Sequence, residues 1–402
     1  MGIYLNPPSD GFRAILKRGM YVDKSELIAY TNSVLDSDRM LTCCSRPRRF
    51  GKSFSARMLS AYYSREADSE ALFDSLKIAH DEEGKFREYL NQCDVLFLDI
   101  MSFISMAEDI GDTVNDIQKD VIEELKEAFP GCVSEDVKAL AKALLQIHAK
   151  TGKKFFIIID EWDALFREAK DNEEIQHAYI KLLRSLFKSS QTSQMVSGAY
   201  MTGILPVKKY GTQSALTDFC EFTMLEPGPL AEFMGFTEEE VISLCADYGL
   251  NFDEARRWYD GYYLSNSGHI YNPKSIIEAV INQKFSNYWT QTETYESLRT
   301  YIDLNFDGLK DALVDMLGGW HYRIDAGTFQ NDMTSLCSKD DVFTLLVHLG
   351  YLAYDSDKGE VFIPNEEIRE EFIRAVRNGR RQELVKIIKR SDRLADKIFS
   401  QI

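Results

Sequence analysis

Two stretches of this 402-residue chain hold side chains that can manage phosphate and water. In the first, an apolar run from Met40 to Cys44 reads as a buried strand. A short polar turn follows, and Gly51, Lys52 and Ser53 open a helical pattern with Met58 and Leu59 on one face. Strand, loop, Gly-Lys-Ser and helix form the setting of a phosphate-binding P-loop. Gly51 lets the backbone wrap closely, and the first helical N–H groups point at the anion. Lys52 would reach the β- and γ-phosphates, and the Ser53 hydroxyl would take a place on Mg²⁺. Nucleotide contacts are expected along Arg46, Pro47, Arg48, Arg49, Phe50, Gly51, Lys52, Ser53 and Phe54. The full pattern G-x-x-x-x-G-K-[ST] wants a glycine where this chain has Arg46, so these residues alone leave an ordinary strand-to-helix turn open.

The second stretch is Phe155 to Glu161, five apolar residues ending in Asp160-Glu161. A buried strand of this kind delivers carboxylates to its C-terminal edge, where ligand sites of open α/β sheets lie. There Asp160 would hold Mg²⁺ and Glu161 would orient and polarise an attacking water. Alone, it also reads as a strand ending in a solvated acidic turn. Its position about a hundred residues after a Gly-Lys-Ser turn joins the two stretches into one nucleotide site. A further strand ends at Thr202-Gly203, and Thr202 is the candidate γ-phosphate sensor beside the catalytic pair Lys52 and Glu161. Lys208, Lys209 and Ser214 follow and could face the same pocket. Arginines that would sense or finish the site are not fixed by sequence: Arg48, Arg49, Arg184, Arg256 and Arg257 all qualify. Asp160 with Glu168 and Lys170 superficially matches a nuclease D…E-x-K set, but Glu168 and Lys170 fall after the strand rather than on a neighbouring one.

The elements that must position these groups alternate. Apolar strands are expected at Met40–Cys44, Asp94–Ile100, Lys153–Glu161, Val196–Thr202 and Glu221–Leu225, with helices between, including one from Glu173 to Ser189. That pattern implies a parallel sheet covered on both faces. Upstream, Asp23 looks like a helix start, in a segment that either flanks a nucleotide base or packs on the sheet edge. Past Pro227-Gly228-Pro229 a helix opens with Thr237 as N-cap and Glu240 closing a capping box. Helices are expected from there to about Leu298, interrupted at Tyr259–Tyr262 and Tyr271–Pro273. A helix from Lys339 to Leu349, a hairpin from Tyr351 to Pro364 and a helix from Glu366 to Asn378 suggest a winged-helix-like unit, too acidic at Asp340, Asp341, Glu366, Glu367, Glu370 and Glu371 to read DNA.

Composition narrows the classes. A net charge of −17 opposes non-specific binding to nucleic acid or acidic membranes. Seven scattered cysteines without a C-x-x-C pair suggest reduced thiols, and the six histidines show no zinc spacing. With no membrane-length apolar run and no signal-peptide core, the expectation is a cytoplasmic protein.

Tyr21–Ser25, Ser45–Ser53, Ile158–Asp163, Met201–Ile204, Gly235–Val241, Trp258–Tyr262, Tyr271–Ser275 and Ile363–Glu366 together resemble the AAA-ATPase-like family of bacterial proteins, often joined to a PD-(D/E)XK nuclease-like domain. The resemblance runs over nearly the whole chain, with Trp162 in place of an expected tyrosine and Ala164 where lysine is common. It implies that Arg46 is the family's own version of the loop. It makes Asp160 and Glu161 the Walker B pair and Asp163 a further site candidate. It also implies an α/β P-loop NTPase of the ASCE/AAA-like type, with a parallel sheet of order 5-1-4-3-2, a helical lid and the winged-helix-like domain. The expected divisions are an ATPase core at 1–228, a lid at 229–300 and a C-terminal domain at 301–402. In such a lid, Trp258–Tyr262 would lie against adenine or pack its core. No terminal strand pair with D…E-x-K follows, so nuclease activity is not expected, and the chain is a short member or part of a longer protein. The expected function is Mg²⁺-dependent ATP binding with slow hydrolysis used as a switch, with a protein partner or a second copy. The alternative is a non-hydrolysing, nucleotide-gated scaffold for a partner protein or nuclease.

Overall fold

The computed structural model describes residues 2–207, 209–210, 213–214, 216–264, 267–289, 298, 301–302, 306, 308–329 and 336–377. They form two compact units. The first takes in the residues up to Ser45 and Gly51–Phe222; the second takes in Arg46–Phe50 and the residues from Thr223 on.

The first unit is built on five strands: β1 (Leu41–Ser45), β2 (Asp94–Asp99), β3 (Phe155–Asp160), β4 (Val196–Gly203) and β5 (Cys220–Phe222). They lie side by side in the order β2-β3-β4-β1-β5, every pair parallel. β1, β3 and β4 are buried along their whole length, as expected of strands covered on both faces. Side chains alternate between those faces. Phe155, Ile157 and Ile159 join a core with Val121, Leu125, Leu144, Ile147, Tyr179 and Leu183. These come from the helices α2 (Thr113–Ala128), α3 (Leu140–Thr151) and α5 (Glu173–Phe187). Phe156 turns the other way, its ring 4.2 Å from that of Tyr63 on α1 (Lys52–Tyr63), the helix that follows β1. Because all five strands are parallel, Ser45, Asp99, Asp160 and Gly203 end at one edge. Asp99 is paired with Asp160 and Ser45 with Gly203.

The N-terminal segment packs on α1. Tyr21 donates to the Met58 sulfur at 3.6 Å, and Asn32 links the Tyr62 and Tyr63 hydroxyls at 3.0 and 2.7 Å. Asp23 does not start a helix. Its carboxylate accepts from the amides of Ser25 and Lys77, which holds it in a turn, and the helix begins at Leu27. β5 is also shorter than expected and shifted towards Cys220. None of the seven cysteines is in a disulfide, and among the described residues no helix is long and apolar enough to cross a membrane.

In the second unit the capping box forms: Thr237 Oγ1 accepts from the Glu240 amide at 3.4 Å, and the Glu240 carboxylate accepts from the Thr237 amide at 2.9 Å. Between the two expected interruptions, where helix is expected, the chain forms paired strands instead. Tyr262–Leu264 and Phe236–Thr237 flank Gly268–Tyr271 in an antiparallel sheet. The runs Tyr262-Tyr-Leu and His269-Ile-Tyr are rich in aromatic and β-branched residues, which favour a pleated surface over a helix. The later helix Lys339–Leu349 is followed by a hairpin, Ala353–Asp355 with Glu360–Phe362, and then the helix from Glu366 to Arg377. Tyr322–Arg323 adds a third strand to that hairpin. The expected extension of the last helix to Asn378 lies outside the described residues.

Three motifs meet inside this unit. Gly261 has φ +113°, and a Cβ there would lie 2.1 Å from the Pro364 carbonyl oxygen; Asn365 donates to the Asp260 carbonyl at 2.7 Å. Ser275 donates to the Glu367 carboxylate at 2.8 and 3.1 Å, which also accepts from the amides of Tyr288 and Trp289. Trp258–Tyr262, Tyr271–Ser275 and the Ile363–Glu367 stretch are thus one packing joint.

Candidate functional site

The groups that the sequence singles out in the first unit gather at the C-terminal edge of β1, β3 and β4. Gly51 precedes α1 with φ +92°, a left-handed turn open to glycine, and Lys52 and Ser53 open the helix. Ser53 and Thr202 both donate hydrogen bonds to the Asp160 carboxylate. Burial pushes Asp160 above the usual carboxylate range, and these two hydroxyl donors pull it partly back. Lys52 is 7% exposed and surrounded by Asp163, Asp160 and Glu161, with Arg167 opposing them. Burial wins over the carboxylates, and the ammonium is pushed down to about 8.

Beyond β3 the chain turns sharply. Glu161 adopts φ +53°, a conformation that costs a non-glycine residue about 1–3 kcal/mol and collects at functional sites. The Trp162 amide bonds to the Thr202 carbonyl at 2.8 Å, tying the turn to β4. The Trp162 ring fills the space beside Gly203, where a Cβ would stand 2.5 Å from it. Asp163 is fully buried. Its Oδ2 accepts from the amides of Ile204 and Leu205 at 3.2 and 3.0 Å and from Arg167 Nε at 3.2 Å. Asp163, a site candidate through resemblance, is therefore the joint between the β3 turn and the segment after β4.

Sequence reasoning missed Arg167. It lies on the short helix α4 (Ala164–Glu168), four residues after Asp163, and donates through Nη2 to Glu161 Oε2 at 2.8 Å. The i,i+4 spacing of Asp163 and Arg167 was the available signal.

Arg46, Pro47, Arg48, Arg49 and Phe50 pack with the second unit. Phe50 stands edge-on to Tyr262 at 5.6 Å, and its carbonyl accepts from the Gly235 amide at 3.0 Å. Arg46 is fully buried, and with burial it pushes His348 down to about 3. Arg49 is exposed with φ +70°. Phe54 lies under the Arg18 guanidinium, 5.5 Å from its ring centre. Among the candidate arginines, Arg184 is exposed on α5, Arg256 faces Asp260 at 3.5 Å and Arg257 pairs with Glu254 at 2.9 Å. Lys208 and the side chains of Lys209 and Ser214 lie outside the described residues. Glu168 and Lys170 sit at and after the end of α4, not on a strand.

Oxygen donors, one carboxylate and one hydroxyl in hydrogen-bond contact, suit a hard cation such as Mg²⁺, which keeps several waters and leans on substrate phosphates. Among the described residues, no three His, Cys, Asp or Glu side chains are grouped as a metal cluster.

A parallel sheet whose edge carries a Gly-Lys-Ser turn beside an Asp-Glu pair defines an ATPase-like P-loop fold with a nucleotide-binding role. The profile of the predicted AAA-ATPase family matches residues 9–212, just over half of the chain, and the protein belongs to that family. A protein of Azotobacter chroococcum mcd 1, known only as an uncharacterized protein in the vnfD 5′ region, is 26% identical over 254 residues. That match covers 62% of this chain and spans about half, 47%, of the relative. Among solved structures, a Walker-type ATPase of Pyrococcus abyssi aligns over 88% of this chain and 96% of its own, with 11% identity and a TM-score of 0.44.

Proposed function

We propose that this protein binds ATP with Mg²⁺ and hydrolyses it slowly, as a nucleotide-dependent switch. The observation that carries the reading is the hydrogen-bonded set Ser53–Asp160–Thr202, with Lys52 and Glu161 beside it at one sheet edge. Lys52, ionised, neutralises the β/γ-phosphate oxygens, and the opening amides of α1 add their dipoles. Ser53 and Asp160 would hold the metal, which supplies charge neutralisation on the phosphates when bound. Glu161 takes the proton of the attacking water, and Thr202 orients the terminal phosphate. The switch part rests on chain connectivity: residues 46–50, which pack within the second unit, lie between β1 and α1 in sequence. A protein partner or second copy would receive the signal.

The test is Mg-ATP binding and phosphate release by the purified protein, with Lys52→Ala and Glu161→Gln alongside. Binding lost in the first, and turnover strongly reduced with binding kept in the second, are the expected outcomes. No nucleotide binding by the wild type sinks the reading. Binding without turnover would favour the non-hydrolysing scaffold.

A further inference from the structure

We propose that Arg167 is the positioning residue of the reaction, fixing the carboxylate of Glu161 for its work on water; this rests on the ATPase reading above. Arg167 is the only one of the three partners that touches both others. Nη2 meets Glu161 at 2.8 Å and Nε meets Asp163 at 3.2 Å, so one planar guanidinium spans two carboxylates. The two ends of this bridge differ. The Asp163 side chain is 1% exposed and nailed to the backbone after β4, whereas the Glu161 side chain is 36% exposed. Arg167 itself is 8% exposed. A part-exposed carboxylate is thus held by a buried cation that is itself held by a buried anion fixed to the backbone.

The backbone shows why such a hold is needed. Glu161 leaves β3 in a left-handed turn, so its side chain departs from the direction that the strand gives Asp160. Its amide lies 3.4 Å from Thr202 Oγ1, a weak contact, and Arg167 is the strong partner of its carboxylate among the described residues.

The test combines kinetics with spectroscopy. Arg167→Ala is expected to lower kcat about tenfold or more while leaving the ATP dissociation constant within about threefold, because the interaction acts on the water and not on ATP. Arg167→Lys, which keeps the charge and the fold but loses the fork, should recover part of that loss. Adding Arg167→Ala to Glu161→Gln should slow residual turnover no further, since Arg167 acts through Glu161. Fully additive losses, or a rise in kcat on removing Arg167, overturn the proposal. Independently of turnover, the ¹⁵N guanidinium signals of Arg167, assigned with Arg167→Lys, should be resolved in the wild type and shift in Glu161→Ala. Unchanged signals overturn the proposal. A wild type without turnover overturns the ATPase reading and leaves the guanidinium signals to decide whether Arg167 holds Glu161.

Discussion

Raising the pH should weaken ATP binding through one group, Lys52. Burial pushes its ammonium from the ordinary 10.5 down to about 8, although Asp163, Asp160 and Glu161 around it pull the other way and Arg167 reinforces the burial. Phosphate binding needs the ammonium, and the charge on ATP restores its affinity for the proton to the ordinary range or above. The free protein therefore loses this proton as pH rises through about 8, while the complex keeps it, so binding takes up a proton and affinity falls with pH. From pH 7 to pH 9 the dissociation constant should rise about tenfold, and each further unit adds about tenfold until the complex itself titrates. The full window, from about 8 to 10.5, corresponds to a ceiling of roughly 3 kcal/mol. Titration calorimetry of Mg-ATP in two buffers of different ionisation heat would read it. About 0.9 proton should be taken up per ATP at pH 9 and about 0.1 at pH 7. Lys52→Arg, whose guanidinium stays charged, should bind with a nearly flat pH profile if it binds at all. An affinity flat between pH 7 and 9.5 in the wild type, with no proton uptake, would refute the reasoning.

Other outcomes follow from the same physical grounds. Burial raises Glu367 to about 7, so between about 4.5 and 7 the native state holds a proton that the unfolded chain has lost. Stability should therefore fall as pH rises through that window, by up to about 3 kcal/mol, and Glu367→Gln should remove the slope in urea unfolding at pH 5.5 and pH 8. A wild-type-to-variant difference that is the same at both pH values contradicts this. Thr202→Val keeps the shape but removes a buried donor to Asp160, and should cost about 1–3 kcal/mol in chemical denaturation and slow phosphate release. Gly261→Ala puts a methyl against the Pro364 carbonyl at a positive φ, and should lower the melting temperature with a loss of more than about 2 kcal/mol.

Much of the candidate site's placement was legible because its residues sit at ends of elements that periodicity locates. An apolar strand ending in Asp160-Glu161, and a Gly-Lys-Ser turn before a helix, carry their own address at the sheet edge. The order in which strands pair does not follow from such local signals. That β1 lies between β4 and β5 is decided by tertiary packing. The strands at Tyr262–Leu264 and Gly268–Tyr271 were hidden for a different reason: each is short, and the helices around them set the apparent period.

Arg167 shows where sequence reading stops at a site. Asp163 and Arg167 stand one helical turn apart, which alone suggests only an ordinary surface pair worth a few tenths of a kcal/mol. What changes its meaning is the left-handed turn at Glu161, which swings that carboxylate onto the same guanidinium, and the two amides after β4 that bury Asp163. Neither has a spacing signature, since the first depends on a backbone conformation and the second on groups 41 and 42 residues apart in sequence meeting at one edge. The candidate carboxylate Glu161 can be read from its motif, but the support that fixes its direction is a property of the folded edge. Substitutions at Arg167 should for that reason change turnover at sites where motif matching alone would call the ATPase intact.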